Sequence, residues 1–184
     1  MTVKYELIRS SRRTIGLEIR EGKLIVRAPF KTSERTIRKV LEDRQDWIRK
    51  HLEASREQCE QAEENPLTDS EIRRLADQAL KVIPERVRYW APIVGVTYGR
   101  ITIRNQKTRW GSCSTKGNLN FNCLLMLTPP EVMDSVIVHE LCHRKEMNHS
   151  EKFYSEVLRV YPDYRKWQKW LKQNGPGIIT RAAR

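Results

Sequence analysis

Long apolar runs are missing from this 184-residue chain. The densest, Cys123–Leu127, falls far short of the roughly 18–20 consecutive apolar residues that cross a bilayer, so a membrane-spanning role is excluded and no membrane partner is expected. The opening segment, Met1-Thr-Val-Lys-Tyr-Glu-Leu-Ile-Arg-Ser10, alternates polar with apolar residues and lacks the continuous apolar centre and small-residue cleavage site of a secretory signal, which predicts a cytoplasmic protein. Cysteine is sparse: Cys59, Cys113, Cys123 and Cys142 make no CxxC pair, so neither a disulfide framework nor a cysteine zinc knuckle is expected and the thiols should be reduced. Glycine and proline, eight of each, are too few for a collagen-like or low-complexity chain. What remains, 39% apolar and 32% charged, predicts a globular protein with one core or a small lobe packed on a larger one.

Acidic residues are also short. Thirty-five Lys and Arg against 23 Asp and Glu leave a formal charge of +12, enough to attract an anionic partner. The excess is +3 over residues 1–66, +2 over 67–100 and +7 over 101–184. In that last third Arg144, Lys145, Lys152, Arg159, Arg165, Lys166, Lys169 and Lys172 alternate with Phe153, Tyr154, Tyr161, Tyr164, Trp167 and Trp170. The pattern resembles a nucleic-acid surface. At helical spacing, however, the aromatics read first as core and the charges as a solvated face.

Ile15, Leu17 and Ile19, a turn at Glu21-Gly22, then Leu24, Val26 and Ala28 keep a period of two and predict an antiparallel hairpin, with Tyr5–Ile8 as a third strand. Past Pro29, Thr32 or Ser33 can cap one long amphipathic helix over about 34–63, apolar at Ile37, Val40, Leu41, Ile48 and Leu52 and ended by Asn65-Pro66. Thr68-Asp-Ser-Glu71 is a capping box for a second helix that Pro84 should kink or break. Ile101–Arg104 and Leu119–Phe121 read as strands flanking a turn-rich stretch at 111–117, and Gly175-Pro-Gly177 as loose punctuation before a tail. The organisation expected is an N-terminal segment (1–66), a core (67–175) and a tail (176–184), or one integrated domain.

Thr128-Pro-Pro-Glu131 combines a further capping box with a proline just inside a helix start, predicting a helix over about 129–146 that is apolar on nearly every side. Two imidazoles and a carboxylate on such a helix need a reason, because an unpaired polar group in a dry interior costs about 1–3 kcal/mol. His139-Glu140-Leu-Cys-His143 supplies one. Residues four apart stand one above the other, so both imidazoles can reach one tetrahedral zinc, while Glu140, turned about 100° round the helix, is placed as general base. A catalytic zinc takes a third protein ligand, and His149 is the candidate: Asn148 signals the helix end, Ser150 can cap the next helix, and the turn between them can fold His149 back. The chain has four histidines, three of them within residues 139–149; His51, on a charged helix, reads as surface. A chance HExxH is expected in roughly one such sequence in 200.

The segment His139-Glu-Leu-Cys-His-Arg-Lys-Glu-Met-Asn-His149-Ser-Glu-Lys-Phe153, with Thr108-Arg-Trp-Gly-Ser-Cys-Ser114 upstream and the N-terminal hairpin and helix, resembles the YgjP-like metallopeptidase family, a zincin group related to the SprT-like proteins. The resemblance covers nearly the whole chain. It implies an α+β zincin-like fold: a small antiparallel sheet, an HExxH active-site helix, and an N-terminal β-hairpin with a long helix. It also implies zinc ligands His139, His143 and His149 and catalytic Glu140. The His149 spacing equals that of the metzincin pattern, but Glu146 stands where that pattern has glycine, so the metzincin turn is not expected.

The expectation is therefore a zinc-dependent metallopeptidase, hydrolysing a peptide or protein substrate through a zinc-activated water with Glu140 as base. Nickel, cobalt or iron are alternatives at a three-histidine site. Arg109 and Trp110 precede the strand that borders the cleft in zincins and are candidate substrate contacts, with packing as the competing role for Trp110 and a bend for Gly111. Tyr154 reads as a core aromatic rather than an oxyanion donor, and Cys113 and Cys142 as neither nucleophile nor ligand. Two further classes remain: a nucleic-acid-associated metalloprotease acting through the basic C-terminal third, and a non-catalytic zinc-binding module.

Overall fold

The structure is a computed structural model that describes residues 4–20 and 22–182; Glu21 of the expected turn and the last two residues of the expected tail lie outside them. The chain divides into two compact units, Met1–Glu64 and Asn65–Arg184.

In the first unit β2 (Gly16–Arg20) and β3 (Lys23–Pro29) pair antiparallel, Leu17 opposite Val26, and β1 (Tyr5–Ser10) pairs parallel to β3, giving the order β1-β3-β2. Gly22 turns the hairpin at φ 69°, a left-handed conformation that glycine adopts without steric cost. The period of two is realised as buried Leu24, Val26 and Ala28, while Arg27 on the other face pairs with Glu18. The single helix expected over 34–63 is two, α1 (Glu34–Asp43) and α2 (Gln45–Glu64), because Arg44 leaves helical geometry at φ −115°, ψ 15°. The break lets Ile37 from α1 and Ile48 and Leu52 from α2 enter the same apolar cluster as the strands.

The second unit opens with α3 (Asp69–Val94), whose Thr68–Glu71 capping box is formed in both directions. The break expected at Pro84 does not occur, and α3 runs on through Pro84 and Pro92 to a left-handed Gly95. Pro84 deprives the carbonyl of Leu80 of its helical partner, and Leu80 is exposed, so water can take that role. The strands β4 (Ile101–Arg104), β5 (Gly111–Cys113) and β6 (Leu119–Asn122) lie in the order β4-β6-β5. This sheet is mixed rather than antiparallel: β5 and β6 form a hairpin, but β6 inserts beside β4 and runs parallel to it. A 3₁₀ turn (Cys123–Leu127) leads to α4 (Pro130–Cys142), followed by α5 (Glu151–Val160) and α6 (Tyr164–Arg181).

Three expectations fail here for local reasons. The Thr128 capping box does not form, because the buried Thr128 hydroxyl donates to Leu125 O at 2.8 Å and α4 begins without a side-chain cap. Helix α4 ends at Cys142 rather than near 146, tightening through Arg144 N→Leu141 O and Lys145 N→Cys142 O bonds of 2.9 Å. Gly175-Pro-Gly177 is not a loose tail but lies inside α6, where the Trp110 indole approaches so closely that a Cβ on Gly175 would sit 3.1 Å from it. Helices α3, α4 and α6, the 3₁₀ turn and the second sheet enclose one core around Ile83, Phe121, Leu124, Ile137, Leu141 and Phe153. Among the described residues no helix is long and apolar enough to cross a membrane.

Candidate metal centre

Helix α4 is buried nearly all round, which leaves its two imidazoles little freedom. His139 and His143 present their Nε2 atoms to each other at 3.2 Å. After α4 the chain turns back, Ser150 accepts a hydrogen bond from Phe153 N at 3.3 Å to start α5, and this brings His149 Nε2 to 3.0 Å from His139 Nε2. One ligand nitrogen from each of the three lies within 4.8 Å of the others; among the described residues no other group of three His, Cys, Asp or Glu is so placed. The cluster runs from buried His143 through half-buried His139 to exposed His149.

Phe153 is the platform under all three, with ring centroids 4.8, 4.5 and 5.0 Å from those of His139, His143 and His149. The outward nitrogens of the α4 pair are held as well. His143 Nδ1 bonds the Glu146 carbonyl at 3.1 Å, and since a carbonyl only accepts, Nδ1 carries the proton and Nε2 offers a lone pair. His139 Nδ1 lies 2.7 Å from the Tyr164 hydroxyl. Burial, with the neighbouring imidazoles adding to it, pulls His139 down to about 3, and burial also lowers His143 against the Glu146 carbonyl. Both shifts favour the neutral imidazole that ligation requires. Nitrogens sharing one tetrahedral zinc at about 2.05 Å stand about 3.3 Å apart. The 3.0 and 3.2 Å separations of the Nε2 atoms therefore fit a shared metal ion.

Glu140 is buried on the side of α4 facing β5. A Cβ on Gly111 would come within 2.8 Å of Glu140 Cγ and Oε1, so the absence of a side chain on that strand makes the seat for the carboxylate. Burial pushes Glu140 up to about 8, opposed by the positive charge of Arg109. Arg109 is exposed, and its carbonyl is fixed by Asn122 Nδ2 at 3.0 Å. Trp110 is half-buried against the core and Gly175 of α6. The structure thus sets Arg109 within electrostatic reach of Glu140 and turns Trp110 towards packing.

Tyr154, expected in the core, is 39% exposed, with its ring 6.2 Å from that of His149. Cys142, beside His143, is buried and its thiol is pushed up to about 12, so it offers no thiolate. In the first unit His51 is exposed and stacked on Trp47 at 4.3 Å. Of the C-terminal aromatics Phe153 and Tyr164 are buried and Tyr161, Trp167 and Trp170 pack on the core, while Arg165, Lys166, Lys169 and Lys172 of α6 are exposed. Sequence reasoning missed the roles of Tyr164, Phe153, Gly111 and the Glu146 carbonyl. Only Phe153 carried a readable signal, three residues past the Ser150 cap and hence turned back along α5.

The family described as YgjP-like, metallopeptidase domain, matches residues 13–78 and 68–174. No curated protein matches the chain. Among solved structures, the metallopeptidase zymogen of Pyrococcus abyssi abylysin is 22% identical, with a TM-score of 0.45 over 50% of this chain and 94% of its own. The metallopeptidase zymogen of Methanocaldococcus jannaschii jannalysin has the same identity and TM-score, covering 50% of this chain and 95% of its own.

Proposed function

The chain belongs to the YgjP-like metallopeptidase family, and on that footing we propose that it hydrolyses peptide bonds with one zinc ion held by His139, His143 and His149 and with Glu140 as general base. The observation that carries the reading is the convergence of the Nε2 atoms of three histidines beside a buried carboxyl group. Zinc would act as a Lewis acid there, polarising the scissile carbonyl and acidifying water, with its charge undiminished by neutral ligands. Glu140 Oε1, seated against Gly111, would in its ionised form, which the Arg109 charge and a bound cation favour against burial, accept a proton from the attacking water as the new C–O bond forms. The carboxyl then delivers that proton to the leaving nitrogen as the C–N bond breaks. Arg109 and Trp110 border the site as candidate substrate contacts: Arg109 by its exposed charge, Trp110 by shaping the wall. Nickel, cobalt and iron suit the same donors.

The test is metal content in protein purified without a nickel column, beside His143→Ala, followed by a peptide library with Glu140→Gln as control. We expect near one zinc per chain, lost in His143→Ala, and hydrolysis that disappears in Glu140→Gln while zinc stays. Metal-free protein after zinc is supplied would overturn the metal reading; zinc without hydrolysis of any peptide would leave a non-catalytic zinc module. One observation favours a nucleic-acid-associated protease as second reading: α6 carries Arg165, Lys166, Lys169 and Lys172 exposed and no acidic residue between Tyr164 and Arg181. That reading requires binding of single- or double-stranded DNA or RNA that weakens steeply with salt.

A further inference from the structure

The two histidines of α4 are gripped from behind in different ways. The Glu146 carbonyl can only accept, so the proton of His143 is settled on Nδ1. His139 faces a phenol, which can donate or accept, and its tautomer depends on where the phenolic proton goes. Tyr164 opens α6, is 3% exposed, and burial holds its hydroxyl well above the usual tyrosine range, so it is a neutral phenol throughout the working pH range. The His139 and Tyr164 rings are within 18° of parallel with centroids 5.9 Å apart. An imidazole N–H lies in the plane of its ring, and a proton on Nδ1 is within hydrogen-bond reach of the phenol oxygen 2.7 Å away.

The geometry points to Tyr164 as the positioning residue that selects the metal-binding tautomer of His139. This rests on the three-histidine reading above. A cation held by His139 Nε2 needs that lone pair facing the cluster; Nδ1 must then donate and the Tyr164 oxygen accept, with the Tyr164 O–H turned out of that bond. A phenol is a weaker acceptor than a carboxylate, so it orients the ring without drawing negative charge onto it. His139 therefore stays a neutral ligand and the metal remains strongly electrophilic.

Cobalt(II) is the probe. Wild type, Tyr164→Phe and, as a control, Tyr154→Phe are titrated with cobalt against a competing chelator, the exchangeable imidazole N–H resonances of the cobalt-loaded proteins are compared by proton NMR, and the melting of the metal-free proteins is recorded. We expect Tyr164→Phe to bind cobalt about 10–100-fold more weakly and to lose protection of one N–H resonance, that of His139. Tyr154→Phe, which removes an exposed phenol beside His149, should stay within twofold of wild type; an equal loss in both variants would overturn a role specific to Tyr164. A Tyr164→Phe affinity within twofold of wild type, with unchanged N–H resonances, would overturn the role of Tyr164 while leaving the metal site standing. A wild-type protein that takes up no cobalt or zinc overturns the metal reading itself, and this inference with it.

Discussion

Helices α4 and α5 stand side by side in sequence and are stabilised in opposite ways. Ten of the thirteen residues of α4 are buried and its first turn has no side-chain cap, so it is held by what surrounds it. Its one buried carboxylate outside the motif, Asp134, is paired with Arg86 at 2.9 Å. In α5 the buried residues are Phe153 and Val157, and the helix is set by the Ser150 cap at its start and by one apolar stripe. His139 and His143 belong to the first kind of structure, and His149 to the turn that feeds the second. The centre thus has a fixed half, shaped whether or not an ion is bound, and a surface half that closes it. Preorganisation of a site is a property of each ligand's own support.

The largest break in this comparison should come from His143→Ala. Metal and hydrolysis should both be lost, and the metal-free protein should melt as if about 2–3 kcal/mol less stable, because a buried, bonded side chain is removed. His149→Ala should also weaken metal binding, yet leave the melting of the metal-free protein within about 0.5 kcal/mol of wild type, as expected of an exposed residue; an equal loss of stability in both variants would abolish the distinction. Gly111→Ala tests the fixed half without touching a ligand: we expect hydrolysis to fall roughly 100-fold through displaced Glu140, with one metal per chain retained by elemental analysis.

Ser150→Ala sharpens the other side. Losing the cap should cost about 1 kcal/mol, visible as a lower melting midpoint and as weaker metal binding, since the cap adjoins His149. The smallest effect concerns the tie between the two helices, where Lys145, just past α4, and Arg159 both pair with Glu156 of α5. The Arg159 and Lys145 bonds hold the Glu156 carboxyl down at about 2, below its ordinary 4.5. A depressed carboxyl contributes stability that is complete above the ordinary value and is lost as pH falls through the depressed one. Glu156→Gln should therefore melt slightly below wild type at pH 7, by about 1 kcal/mol or less, and the gap should shrink between pH 4.5 and about 2.

Much of this was legible in the sequence because it rests on local rules. The hairpin, the Thr68 box, the Ser150 cap and the stacking of His139 over His143 follow from periods and caps that involve neighbours in the chain. The rest depended on distant groups. Arg44 interrupts a helix without glycine or proline, for the sake of a shared apolar cluster. Three-residue β5 is too short to show a period, and its Gly111 reads as a bend until Glu140 is seen against it. Thr128 had the right spacing for a cap, but a nearer carbonyl took its hydroxyl. Tyr164 lies 25 residues beyond the histidine it supports, amid aromatics that looked alike; only the fold separates it from exposed Tyr154.

The segment between β4 and β5 raises a problem peculiar to a peptidase. Residues 107–109 are exposed and lead directly to Gly111, beside Glu140, where a flexible strand would make a convenient meal for a neighbouring copy of the enzyme. A peptide bond is cut only when several residues around it can be drawn out and extended, which an anchored loop resists. Fully buried Asn122 provides the anchor: its side chain donates to the carbonyls of Gln106 at 2.7 Å and Arg109 at 3.0 Å, and its backbone N–H to that of Trp110 at 2.9 Å. One asparagine on β6 thereby ties down the stretch that leads to Gly111, and faster cleavage of that stretch by an added protease is the expected sign of a loosened anchor.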